Sequence, residues 1–234
     1  MTERSAASVT RSAHHFQVGP SALQWANDRL DITIAERAMP FGQRMEGRIT
    51  VRPRALCQFQ APLDDAAGHW WGPIAPAARV DLALNSPGIA WSGHGYFDSN
   101  EGIEPIHRPF TTWDWARCEL SDDASAVLYD VRQRNLPDRL LAIRFDRHAE
   151  GEPFEAPQRV ALPKTRWRIE RSIRSESDAS VQAKFEDVPF YSRSVVRTVL
   201  LGQPAVCMHE SLDTDRLIHP IVQRLLPFRM PRVR

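Results

Sequence analysis

The run Arg79-Val80-Asp81-Leu82-Ala83-Leu84 sets polar or small residues against apolar ones with a period of two. Successive side chains of a strand point to opposite faces, so this pattern fits a strand with one wet face and does not fit a helix, whose repeat is near 3.6. The same alternation recurs at Arg29-Leu30-Asp31-Ile32-Thr33-Ile34, Arg48-Ile49-Thr50-Val51, Ala126-Val127-Leu128-Tyr129-Asp130-Val131 and Leu140-Leu141-Ala142-Ile143-Arg144-Phe145. It returns at Thr165-Arg166-Trp167-Arg168-Ile169-Glu170, Ser180-Val181-Gln182-Ala183-Lys184-Phe185 and Ser194-Val195-Val196-Arg197-Thr198-Val199-Leu200. Turn-forming residues separate these runs, among them Asp64-Asp65, Asn85-Ser86-Pro87-Gly88, Ser121-Asp122-Asp123, Pro137-Asp138 and Gly202-Gln203-Pro204. About a dozen short antiparallel strands at this spacing predict an all-β sandwich or barrel. One stretch reads differently. Leu217, Ile221, Leu225 and Leu226 share a helical stripe that Pro220 interrupts, so a short or kinked C-terminal helix is expected there.

The chain has 234 residues and a formal net charge of +1, enough for one large domain or two small ones. A charge so near zero argues against a dedicated nucleic-acid binder. No apolar run approaches the ~18 residues that a membrane-spanning helix needs. The start, MTERSAASVTRSAHHF, lacks the apolar core of a secretory signal. The three cysteines, Cys57, Cys118 and Cys207, are far apart and show no metal-ligand spacing, and they read as reduced thiols of a cytosolic chain.

Chemistry concentrates between Trp91 and Trp115, in WSGHGYFDSNEGIEPIHRPFTTWDW, with a second polar and aromatic cluster at Gly68-His69-Trp70-Trp71. Tyr96 and Asp98 are two residues apart, so on a strand they share a face, and His94 joins them. A carboxyl group among Tyr and Trp rings would have a raised pKa and could serve as a general acid near neutral pH. Aromatic faces can stabilise a developing cation. Together these features suit chemistry through a carbocation, while the plainer reading makes Asp98 a turn or capping residue and the tryptophans core. Other sites are weaker. His69 and His94 lack partners at metal-ligand spacing, so no metal is expected. There is neither a phosphate-binding glycine loop nor a nucleophile elbow. Glu210 and Asp213 flank Ser211 without a His in the expected role, so no triad is assigned.

Several of these motifs occur together elsewhere. Trp91-Ser92-Gly93-His94-Gly95-Tyr96-Phe97-Asp98-Ser99-Asn100, Glu104-Pro105 and Trp113-Asp114-Trp115-Ala116-Arg117 resemble the carotenoid 1,2-hydratases, also called hydroxyneurosporene synthases. So do Trp71-Gly72-Pro73-Ile74-Ala75-Pro76, Pro189-Phe190-Tyr191-Ser192-Arg193-Ser194, His209-Glu210-Ser211-Leu212-Asp213 and Leu226-Pro227-Phe228-Arg229-Met230-Pro231. The resemblance runs over essentially the whole chain. It implies a lipocalin-like all-β architecture of two consecutive domains, placed here at 1–107, with the catalytic strand, and 108–234. It implies cofactor-free addition of water to the terminal double bond of acyclic carotenoids such as neurosporene or lycopene. It assigns catalysis to His69, Trp71, Tyr96 and Asp98, with Asp98 as acid and His69 beside the water. Trp91, His94 and Trp113 are expected to touch the substrate. Family members are longer at the N-terminus, so the first domain is expected to be incomplete. The alternatives are a non-catalytic lipocalin-like module that binds carotenoid or lipid, an inactive fragment of a hydratase, and a different enzyme on the same scaffold. A membrane-dissolved substrate implies a cytoplasmic protein with peripheral contact to the inner, photosynthetic membrane. Leu225, Leu226, Phe228 and Met230, with Arg224, Arg229, Arg232 and Arg234, are the residues expected to make that contact.

Overall fold

The computed structural model describes residues 3–38, 41–121, 123–229 and 232–233. After β1 (Glu3–Arg4), an antiparallel sheet forms from β2 (Val9–Arg11), β3 (His15–Val18), β4 (Ser21–Ala26), β5 (Arg29–Ala38), β6 (Gln43–Pro53), β7 (Ala61–Pro62), β8 (His69–Ser86) and β9 (Ile89–Gly102). A second antiparallel sheet holds β10 (Phe110–Glu119), β11 (Ser125–Gln133), β12 (Arg139–Phe145) and β13 (Gly151–Pro153). The hairpin of β14 (Arg159–Ala161) and β15 (Ser172–Arg174) stands apart from it. The chain then adds β16 (Ser180–Val188), β17 (Tyr191–Leu200) and β18 (Gln203–Asp213), so that the second sheet runs β13-β12-β11-β10-β18-β17-β16. Helices α1 (Thr214–Leu217) and α2 (Pro220–Arg229) follow, and β19 (Arg232–Val233) pairs in parallel with β1. The all-β expectation holds. Both large sheets have open strand orders among the described residues, which is compatible with a sandwich.

β8 and β9 form one long hairpin rather than several short strands, and β9 runs straight through Gly93 and Gly95. Two irregularities, at Pro73/Ala75 and Ala75/Ala78, bend this ribbon. Beyond the bend, the start of β8 leaves the first sheet's small core around Leu30, Val51, Ala75 and Ala78. Trp71, together with Leu63 and Phe59, packs instead on Val127, Tyr129, Val131, Ile143 and Phe145 of the second sheet. The other face of that sheet is covered as well, by Leu162, Ile173 and Phe154 over Ala126, Leu128, Ala142 and Val196. The expectation of one wet face therefore fails for β11, which is buried on both sides along most of its length.

Three further expectations are corrected. Cys118 and Cys207 are not reduced thiols; antiparallel pairing of β10 with β18 sets them directly opposite, and they form a disulfide across a sequence separation of 89. Cys57 remains free. The alternating run 165–170 is a turn and not a strand. Thr165 Oγ1 accepts the Ile169 N–H at 3.1 Å, and Arg168 adopts a φ of 60°, which closes the chain on itself. The short C-terminal helix is present, and Pro220 starts it rather than kinking it, at a position where its missing N–H costs nothing. The expected apolar stripe is not buried either: Ile221 and Leu225 are exposed, Leu217 and Leu226 are half-buried, and Val222 is buried instead.

Candidate active site

The bent end of the β8–β9 hairpin carries the site. Trp71 on β8 is fully buried, and its indole Nε1–H donates to Asp98 Oδ2 at 2.9 Å. Tyr96 on β9 donates its phenol O–H to the same oxygen at 3.1 Å. Asp98 pairs with Pro73 and Trp71 with Asn100, so the indole reaches the carboxyl diagonally across the ladder. Burial, followed by the Asp98 charge and hydrogen bond, pushes the Tyr96 phenol well above its ordinary value, which keeps it a donor. Asp98 itself is half-buried, because β9 pairs only with β8 among the described residues. The Tyr and Trp rings expected around it are thus present on one side, while another side is open.

Rings from both sheets build the aromatic side. Trp71 stands edge-on to Tyr129 at 6.0 Å between centroids, and Tyr96 lies 5.5 Å from Trp115. Trp113 meets Tyr129 at 5.8 Å and Phe110 at 6.0 Å. The Arg117 guanidinium sits 6.0 Å from the Tyr96 ring. Its pKa is lowered by burial despite the nearby Glu119 and Tyr96.

His69 lies on the same strand as Trp71 and is only 3% exposed. Its Nδ1 is 2.8 Å from Asp64 Oδ2, and its Nε2 is 2.9 Å from the Glu104 carbonyl. A carbonyl only accepts, so Nε2 carries a proton, and both ring nitrogens are occupied. His69 braces the 64–69 turn to the end of β9, and neither nitrogen remains for a water. Asp64 Oδ1 also accepts the Gly68 N–H at 2.7 Å, so the turn signalled by Asp64-Asp65 holds His69 in place.

The structure brings His69, Trp71, Tyr96, Asp98 and Trp113 into one region. It leaves Trp91 out, 48% exposed near the far end of β9 opposite Leu82. It also leaves out His94, which is exposed and paired with Glu119. Tyr129, Trp115, Arg117 and Glu210 border the region without having been singled out as its members. Trp115, Arg117 and Glu210 lie in motifs shared with the hydratases but without a role assigned, and Tyr129 has no local signal; strand pairing brings all four to the region. Among the described residues, no three His, Cys, Asp or Glu side chains form a cluster able to hold a metal ion.

The fold and site together define an all-β protein with a carboxyl group set against an aromatic wall. The model of the family described as carotenoid hydratase CrtC matches residues 1–234, and the chain belongs to that family. It is similar to the acyclic carotenoid 1,2-hydratase of Rubrivivax gelatinosus, with 47% identity over 99% of this chain and 58% of that protein. The acyclic carotenoid 1,2-hydratase of Thiocapsa roseopersicina is 44% identical, over 100% of this chain and 58% of its own length. That of Rhodobacter capsulatus is 35% identical, over 99% of this chain and 83% of its own. The chain thus spans 58% of the length of the first two relatives.

Proposed function

We propose that this chain carries the active site of a carotenoid 1,2-hydratase, which adds water, without a cofactor, to the terminal double bond of an acyclic carotenoid such as neurosporene or lycopene. The observation that carries this reading is the pair of donors, Trp71 Nε1–H and Tyr96 O–H, on one oxygen of Asp98. In its acid form Asp98 holds its proton on Oδ1. A polyene end lying on the half-buried side excludes water and brings the alkene against that proton. Transfer to the less substituted carbon leaves a tertiary cation on its neighbour. As the proton leaves, charge grows on Asp98, and the two hydrogen bonds strengthen while no group has to reorganise. The Trp71, Tyr96 and Tyr129 rings face the cation with negative π density. Water then adds to give a tertiary alcohol. His69 acts through its brace, which holds Trp71 and the end of β9 in register.

The two sheets suggest a division into domains at 1–107 and 108–234, with the site between them. A membrane-dissolved substrate calls for contact with a bilayer. The exposed Ile218, Ile221 and Leu225 beside Arg224, with the exposed Trp167 and Arg168 nearby, support peripheral docking on anionic lipid. The tail side chains at 227–234 lie outside the described residues. No helix among those described is long and apolar enough to cross a membrane. Sedimentation with anionic vesicles at low salt and release at high salt is the expected behaviour; binding that ignores salt would count against it.

The test of the activity is expression of this chain in cells that accumulate lycopene or neurosporene. A product heavier by one water is expected, and it should vanish in Asp98→Asn. Carotenoid that co-purifies unchanged would favour the binding module instead.

A further inference from the structure

Glu210 faces the same region from the second sheet. It lies on β18 directly opposite Trp115 of β10, and cross-strand partners share a face with Cβ atoms about 5 Å apart. The Trp115 ring packs on Tyr96, whose phenol is bonded to Asp98. One aromatic pair therefore borders two carboxyl groups that belong to different sheets. Tyr129 registers both of them: burial first, then the charges of Asp98 and Glu210, raise its phenol. Glu210 is anchored rather than free. Arg193 reaches its Oε1 with Nε and Nη2, both at 2.8 Å, and the carboxyl keeps 22% side-chain exposure. The Trp115 ring also carries an unexplained donor. Trp115 Nε1 is buried and has no hydrogen-bond partner. A buried N–H left unpaired costs about 1–3 kcal/mol, so such a group invites an oxygen.

We infer that Trp115 Nε1 and the Glu210 carboxylate hold the water that adds to the cation, and that Glu210 takes its proton. The inference rests on the hydratase reading above. In this arrangement the water accepts the indole N–H with one lone pair and points one hydrogen at Glu210. Its second lone pair is left for the electron-poor carbon. The balance closes: the Asp98 proton forms a C–H bond, the water oxygen forms the C–O bond, and the water proton passes to Glu210. Glu210 then returns a proton to solvent and Asp98 regains one. Water bound to a carbocation is a strong acid, so a carboxylate held by arginine is base enough. The glutamate charge also opposes the cation from the side away from Asp98. Placing acid and base in separate groups is the arrangement that inverting glycosidases use for a comparable cation.

The experiment uses this chain, lycopene-loaded vesicles and deuterium oxide, with hydration and deuterium in the recovered lycopene both read by mass spectrometry. Wild type hydrates. Glu210→Gln should lose about 10²-fold in hydration, and Trp115→Phe should lose hydration too. Both should still protonate the alkene, so the trapped cation falls back and leaves deuterium in unhydrated lycopene. Asp98→Asn should show neither hydration nor exchange. Hydration by Glu210→Gln within about three-fold of wild type would overturn the inference and leave Asp98 to take both steps. Joint loss of hydration and exchange in Glu210→Gln would overturn it as well, since that marks a structural role. A wild type that neither hydrates nor exchanges would remove the hydratase reading itself and this inference with it.

Discussion

A carboxyl group that must release a proton and then persist as an anion needs donors already aimed at it. Asp98 has two on one oxygen, of different kinds. Trp71→Phe keeps an aromatic ring in the fully buried slot but removes the N–H together with part of the indole. Loss of one preorganised donor of this kind costs about 10²–10³ in kcat. The expected outcome is a fall of that order in hydration rate, larger than the loss of stability from the smaller buried ring accounts for. A fall in stability that tracks the fall in rate would point to packing instead of charge stabilisation. Tyr96 and Asp98 were legible in the sequence because two residues apart on a strand is a local fact. The Trp71 contact was not legible, since it depends on the Pro73–Asp98 pairing beyond two bulges. Tyr129 and Glu210 belong to other strands; no neighbour in the chain announces Tyr129, and the motif around Glu210 does not show that it faces Trp115. His69 was legible as a member of the cluster. Its engagement with Asp64 and the Glu104 carbonyl shows only once β8, β9 and the turn before β8 are folded together.

The end of the β8–β9 hairpin is the element on which the site depends, and one glycine there is forced by space. A Cβ on Gly102 would lie 2.4 Å from His69 Cδ2 and 2.7 Å from its Nε2. Gly102→Ala must displace the imidazole from Asp64 and Glu104, or else open the ladder at its last pair. Overpacking of this sort costs about 1–3 kcal/mol, and the expected result is a destabilised protein with hydration reduced further than in a mere stability mutant. Gly88→Ala supplies the contrast. Nothing lies within 4 Å of a Cβ there, and only its φ of +81° opposes the change. It should lower the melting temperature while leaving the rate of the folded protein alone. Equal activity losses in the two variants would argue that hairpin stability, and not the His69 brace, supports the site. At this scale the period-two pattern located strands well and connections poorly. It could not show that 69–102 is a single bent ribbon. It also mistook 165–170 for a strand, because the hydrogen bond from Ile169 N–H to Thr165 Oγ1 is invisible to alternation.

In the whole molecule, the second sheet is the slab on which everything else rests, with the hairpin end on one face and the β14–β15 cover on the other. The cover is fastened electrostatically. Asp130 on β11 is 7% exposed in its side chain and accepts hydrogen bonds from Arg159 and Arg174, one on each strand of the covering hairpin. Burial alone would raise the Asp130 pKa. The hydrogen bonds and charges of Arg174 and Arg159 outweigh it and hold the carboxyl below its ordinary value of 3.8. A carboxyl whose native pKa is lowered binds fewer protons folded than unfolded, so its contribution to stability is complete above 3.8. It is lost as the pH falls through the lower native value. Asp130→Asn leaves two arginines facing a neutral amide inside the slab. Breaking a buried pair in this way costs about 3–5 kcal/mol. The expected measurement is a pair of denaturation series, wild type and Asp130→Asn, from neutral pH down to the acid limit of folding. The variant should be less stable by that amount at neutral pH, and the gap should close as acid protonates Asp130 in the wild type. A gap that stays constant with pH would mean that the amide fails by shape rather than by charge. The two guanidinium groups would then hold the cover through their remaining contacts, such as Arg174 Nη1 to the Pro157 carbonyl at 3.0 Å.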